Sequence, residues 1–270
     1  MKIRVAIPEK YEPKRIGKCI YCGSIDGLTD EHIVPYSLGG PWQLLSASCK
    51  ECTKITMKFE RNVVKEFFSL IRTKINLPTY HPKDRPKSFA FSVKINNKEE
   101  VANFPIKECP ALFAMPTFKK PGYVLKEGVR KGISFAGISL HGNGLQEFQK
   151  QKNIETLSLS VTFGVSFARL LAKIAYGMVI QELGLDKIKE TYVIPCILGK
   201  KDDAGQWVGC EEPHKSPALL PREQFFHRID VLSKNGLVGA KIRLFATYQT
   251  PEYLVIVGRL KEPDSLKKEV

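Results

Sequence analysis

Two cysteine pairs of identical spacing, Cys19-x2-Cys22 and Cys49-x2-Cys52, constrain this chain more than any other feature of it. A Cys-x2-Cys turn delivers two sulfurs to one ion, and two such turns complete a tetrahedral shell. A full shell leaves no open position, so the expectation is a structural zinc held by Cys19, Cys22, Cys49 and Cys52. The bland alternative is four reduced core cysteines, which have no reason to fall at this spacing. The 26 residues between the pairs exceed what a compact zinc ribbon needs. That surplus leaves room for a hairpin or loop to carry chemistry. Cys109, Cys196 and Cys210 stand alone and read as buried free thiols.

Asp30-Glu31-His32 lies between the pairs. A neutral histidine near pH 7 can accept a proton from water, and an adjacent carboxylate can hold a hard divalent cation that binds phosphate oxygens. In isolation a Glu-His pair is usually an ordinary surface pair; the thiolate frame around this one makes His32 a candidate base and Glu31 a candidate ligand. If residues 53–71 are helical, Ile55, Phe59, Val63, Phe67 and Leu70 share one face. Lys54, Lys58, Arg61 and Lys65 then form a stripe roughly opposite. The stripe reads as a solvated face, as a track for phosphates, or as both. Glu60 falls on the flank between face and stripe, within reach of a cation held by Glu31.

Charge supports a polyanionic partner. The net charge is +14, and residues 1–140 carry 24 Lys and Arg against 13 Asp and Glu. The cysteine module lies in that basic half. No secretory signal is visible, and the apolar run 157–183 is interrupted by Arg169 and Lys173. It therefore reads as a buried helix rather than a membrane span, and the expected location is the cytoplasm. The 270 residues divide into a module at 1–75 and an α+β domain at 76–270, joined near the Pro-rich stretch 78–88. Residues 89–104 alternate around Asn96-Asn97 as a hairpin, and 116–132 read as an exposed basic loop. A long helix is expected over 156–183, and strands at 192–194, 224–232, 240–248 and 253–260. His81 is expected to be solvated, His141 to sit in a turn and His227 to be structural. Cys210 and His214 have metal-like spacing without a second pair.

Cys-x2-Cys, then Glu-His-Ile-Val-Pro-x-Ser-Leu-Gly-Gly, then Ala-Ser-Cys-x2-Cys resembles the zinc-stapled branch of the HNH endonucleases, over about residues 16–68. The resemblance implies a ββα-metal finger, two strands and a helix around one divalent ion, here Mg2+ or Mn2+. It implies His32 as general base for attack of water on a phosphodiester, with Glu31 as metal ligand and Asp30 as its neighbour in reserve. Two positions depart from the pattern: Leu44 and Thr53 stand where the family commonly has Asn, or Asn or His. Thr is a weak ligand, so Glu60 is expected to replace it. The fold class is thus α+β: an N-terminal ββα-metal module, then a mixed domain with one long buried helix and several antiparallel strands. The expected function is a metal-dependent endonuclease acting on DNA, with RNA left open. A role in defence against foreign DNA follows only by analogy with nucleases that carry an appended domain. The alternative is a zinc-stapled nucleic-acid-binding protein with a degenerate site.

Overall fold

The computed structural model describes residues 11–159, 164–213 and 225–262. Strands β1 (Leu28–His32) and β2 (Gln43–Cys49) pair antiparallel and lead into helix α1 (Lys50–Glu66) and the short α2 (Ser69–Lys74). A hairpin follows, β3 (Ser88–Ile95) and β4 (Lys98–Pro105), turned by Asn96 and Asn97 in the left-handed region. Next come β5 (Ala111–Phe118), α3 (Gly122–Leu125), β6 (Phe135–Asn143), α4 (Leu145–Lys152) and β7 (Thr156–Ser158). Helix α5 (Val165–Leu183) is the longest element. It is followed by β8 (Ile188–Thr191), α6 (Ile194–Ile197), α7 (Ala204–Trp207), β9 (Val208–Cys210), β10 (His227–Lys234), β11 (Leu237–Leu244) and β12 (Tyr253–Leu260). The sheets are β1-β2, β4-β3-β7, β5-β6 and β10-β11-β12-β8, with β9 also on β12, all antiparallel. The chain is an α+β protein with an N-terminal HNH-like zinc module.

Helix α5 is the spine. Fourteen of its residues are buried, from Phe167 to Gln181, because it packs on α1 on one side and on the β10-β11-β12 sheet on another. No helix among the described residues is long and apolar enough to cross a membrane. One continuous core runs from Ile33 and Phe59 in the module through Phe167 and Tyr176 to Val255. Phe67 and Phe167 stack with centroids 5.4 Å apart. Polar groups of α5 also hold module backbone. Tyr176 Oη donates to Ile20 O at 2.7 Å, and Gln181 Nε2 donates to Glu12 O at 2.9 Å. A smaller cluster around Phe91, Phe148 and Leu70 fills the space under the β3-β4 hairpin.

Several expectations need correction. Residues 156–158 form β7 on the edge of β3 rather than the start of the long helix, which begins at Val165 after Gly164; residues 160–163 lie outside the described set. Residues 192–194 are not a strand: β8 ends at Thr191, and Pro195 suits the first turn of α6. The supposed loop 116–132 begins inside β5, with Phe118 buried, and a proline is tolerated there in a two-stranded sheet. His141 is no turn residue; it is buried in β6, with Nε2 2.7 Å from Ser139 Oγ and Nδ1 3.2 Å from Tyr248 O. His227 is structural as expected, Nε2 2.8 Å from Leu38 O. Burial pushes both imidazoles down to about 4. Cys109, Cys196 and Cys210 are buried free thiols, while His214 and residue 224 lie outside the described residues.

Candidate nuclease site

The four thiols of the cysteine pairs meet. Cys19 Sγ, Cys22 Sγ, Cys49 Sγ and Cys52 Sγ lie within 4.8 Å of one another, and Cys22 Sγ is 3.7 Å from Cys49 Sγ. A tetrahedral Zn–S shell with bonds of about 2.3 Å puts neighbouring sulfurs about 3.8 Å apart, so the donor set fits zinc. The first pair is shaped by a turn in which Gly23 N donates to Cys19 O at 2.9 Å, with Gly23 at φ 80°. The second pair is shaped by the strand-to-helix junction, since Cys49 ends β2 in extended conformation and Cys52 lies in the first turn of α1. Burial and the neighbouring sulfurs push the Cys52 thiol up, a cost that a bound divalent cation would remove.

The hairpin between the pairs carries Asp30, Glu31 and His32 on β1. After His32 the chain turns through Pro35 and Tyr36–Leu38 to Gly39, at φ 82°, and Gly40. A Cβ on Gly40 would sit 2.3 Å from Val34 Cβ, so the Gly-Gly step is what lets the loop close beneath the histidine. Helix α5 supports the loop from below, where Gly177 leaves room for Ile33.

His32 is half-buried. Its Nε2 is 3.5 Å from Tyr80 Oη, and its Nδ1 is buried with no hydrogen-bond partner among the described residues. Burial lowers its pKa; the Lys173 charge lowers it further, and Glu31 and Asp30 oppose. The imidazole is therefore neutral at pH 7 and able to accept a proton.

The candidate ligands have distinct surroundings. Asp30 is exposed, and its Oδ1 accepts from Ser46 N at 2.8 Å. Thr53 is turned to the hairpin, its Oγ1 donating to Ser48 Oγ at 3.0 Å. Leu44 is fully buried and offers no donor. Glu31 and Glu60 do converge, as anticipated, but on a side chain. Lys173 Nζ lies 2.7 Å from Glu31 Oε1 and 2.6 Å from Glu60 Oε1, and it also donates to His32 O. The two carboxylate contacts are ion pairs by distance, and the His32 carbonyl is the acceptor in hydrogen-bond geometry. Burial alone would lower the Lys173 pKa; the two carboxylates outweigh it and hold it above the ordinary lysine value. Burial and Glu31 raise that of Glu60, against Lys173. Lys173 is buried and fills the point where the two carboxylates meet. As arranged, that pair does not fit a divalent cation.

Around these residues lies a cleft of about 750 Å³. One wall is α1, from Thr53 to Lys65; the other is the segment from Ser69 to Pro86. Arg61 and Lys65 of the anticipated stripe line it, and Lys54 and Lys58 are exposed on the same helix. His81 is exposed, as expected, on the cleft rim. Arg169 is elsewhere, donating to Ile197 O at 3.1 and 2.7 Å with its guanidinium 4.7 Å from the Phe59 ring centroid.

Residues 19–68 match the HNH endonuclease family. The match covers the thiolate pairs, the His32 hairpin and α1. It ends where α2 begins, and it spans under a fifth of the chain. No curated protein and no solved structure matches. The HNH segment, with its four-cysteine cluster, suggests a nuclease or nucleic-acid-related function.

Sequence reasoning missed Tyr36, Tyr80, Arg72 and Arg85 on the cleft, and the role of Lys173. A signal existed for Lys173. A lysine on an otherwise apolar helix needs a buried anion, and Glu31 and Glu60 are the two carboxylates that the hairpin and α1 bring together. No comparable signal marked the segment after α2.

Proposed function

We propose that this protein is a nuclease that hydrolyses phosphodiester bonds in DNA, with His32 as the base. His32 takes a proton from water, the resulting oxygen attacks phosphorus, and the bond to the leaving sugar oxygen breaks, with solvent returning a proton to that oxygen. The single observation that carries this reading is the His32 imidazole, its buried Nδ1 without a partner among the described residues, lining a cleft with Arg61, Lys65, Arg72 and Arg85, on the hairpin that the two cysteine pairs bracket. Arg61 and Lys65 supply positive charge for the phosphate chain. A divalent cation, when bound, would stabilise charge on the phosphate. The Glu31–Glu60 pair is bridged by Lys173, so no step is assigned to such an ion.

The Lys173 bridge also favours a second reading, a zinc-stapled nucleic-acid-binding protein that does not cut. Cleavage of plasmid and labelled oligonucleotides by zinc-loaded protein, with Mg2+, Mn2+ or EDTA, separates the two. Cutting by wild type and not by His32→Ala, at equal zinc content and equal DNA affinity, supports the nuclease. Salt-sensitive DNA binding without cutting under any condition leaves the second reading. Equal cutting by His32→Ala removes His32 from the chemistry.

A further inference from the structure

The cleft carries two features, built largely on the wall after residue 68, that lie beyond the hydrolytic step itself. The first is an aromatic pair. Tyr36 and Tyr80 lie with ring centroids 4.8 Å apart at 31°, and Tyr36 is 5.9 Å from the His32 ring. The Tyr80 residue is 71% exposed, so one face of its ring is open to the cleft. Its short loop is flanked by Pro78 and Pro82, whose fixed φ lowers the entropy cost of holding the ring in place. An exposed tyrosine tilted against a second, half-exposed tyrosine contributes little to a core; it offers a flat face.

The second feature is a pair of guanidinium groups. Arg72 Nε donates to Ser37 O at 2.5 Å and its Nη2 to Pro78 O at 3.4 Å, while Arg85 Nη2 donates to Leu77 O. Both side chains line the cleft, and among the described residues neither is ion-paired, although Asp84 lies on the same wall. Burial and the charge of Arg85 both lower the Arg72 pKa. Two like charges held together by neutral carbonyls, with donors to spare, form a receptor for an oxyanion.

We propose that Tyr36, Tyr80, Arg72 and Arg85 form a subsite for one unpaired nucleotide of a polynucleotide strand, its phosphate on the arginines and its base on the open face of Tyr80. A base within a duplex has both faces covered by its neighbours, whereas an unpaired base has one free to stack. The subsite deepens the nuclease reading, because it delivers the adjoining phosphodiester to His32; binding itself does not depend on that reading.

The test is fluorescence anisotropy with zinc-loaded wild-type chain and phosphorothioate-linked probes, which resist cleavage, because His32 itself packs on Tyr36 and approaches Tyr80. The probes are a labelled single-stranded DNA oligonucleotide and the duplex of the same sequence. The single strand is expected to bind at least about tenfold more tightly than the duplex at equal salt. Tyr80→Ala is expected to weaken the single strand about five- to a hundredfold and leave the duplex unchanged, with Tyr80→Trp restoring it. Arg85→Gln is expected to lower the slope of log affinity against log salt for the single strand by about 0.7. Equal affinity for the two probes, or a Tyr80→Ala chain that binds like its parent, overturns the subsite. A wild-type chain that cuts duplex while showing no single-strand preference refutes the subsite and keeps the nuclease reading. One that prefers single strands through Tyr80 and cuts nothing refutes only the nuclease.

Discussion

Two clusters of ligating side chains are built on the same hairpin and helix, and they reach opposite states. Cys19, Cys22, Cys49 and Cys52 come from a tight turn and a strand-to-helix junction, and their sulfurs stand at zinc-like separations. Glu31 on β1 and Glu60 on α1 also converge, yet the point they share is taken by Lys173 Nζ, from a helix 141 residues beyond His32. Thiolates crowded in one place need a metal, because no side chain satisfies four of them at once. Two carboxylates can share one ammonium, the more readily where burial raises the pKa of one of them, as it does for Glu60. The module therefore has two fastenings, a thiolate cluster suited to a metal and an ion-paired link to α5. The second fastening ends on the backbone carbonyl of His32 itself.

The comparison can be broken at either cluster. The largest effect is expected at the thiolates. Cys19→Ser or Cys52→Ser should release zinc and unfold the module, since structural zinc contributes on the order of 10 kcal/mol. Metal analysis and circular dichroism read this, and retained zinc with an unchanged Tm would show that the thiolates do not hold the module together. A smaller effect is expected at the ion cluster. Lys173→Met strands two buried carboxylates and should cost about 3–5 kcal/mol in denaturant unfolding. Adding Glu31→Leu and Glu60→Leu to it should recover much of that loss, because an apolar replacement of a whole buried ion cluster is often neutral. A triple variant no more stable than the single would mean the cluster is not the source of the loss. The smallest effect is expected on the exposed stripe of α1, which belongs to neither cluster. Lys58→Gln or Lys65→Gln should leave the Tm unchanged. Removing one phosphate-binding charge in this way should lower the duplex salt slope by about 0.9. A shifted Tm with an unchanged slope would make the stripe structural.

Much of the module is legible in the sequence because its determinants are local. Cysteine spacing, the Glu-His pair and the 3.6-residue period of Phe59, Val63 and Phe67 each operate within one or two turns of chain. The Asn96-Asn97 turn is readable for the same reason, and the last strand, expected at 253–260, is found at Tyr253–Leu260. What does not show is non-local. The start of α5 is hidden because the stretch 156–168 has no proline and no charge to mark a boundary, and β7 is set by its pairing with β3. His141 looks like a turn residue because glycines surround it, while its burial is decided by Tyr248, a hundred residues away in sequence. The cleft wall formed by Arg72, Tyr80 and Arg85 resembles a linker because prolines and charges dominate it. The partner of Lys173 is the most consequential omission, since it decides what Glu31 and Glu60 do.

The central claim is that one cluster awaits a metal and the other already holds its cation. Manganese binding to zinc-loaded wild type and Glu60→Gln, followed by electron paramagnetic resonance, tests it directly. The account predicts that the two chains take up Mn2+ alike, with no stoichiometric site in either. A one-to-one Mn2+ site in the wild type that disappears in Glu60→Gln would contradict it, and would mean that a divalent ion displaces Lys173 from the carboxylates.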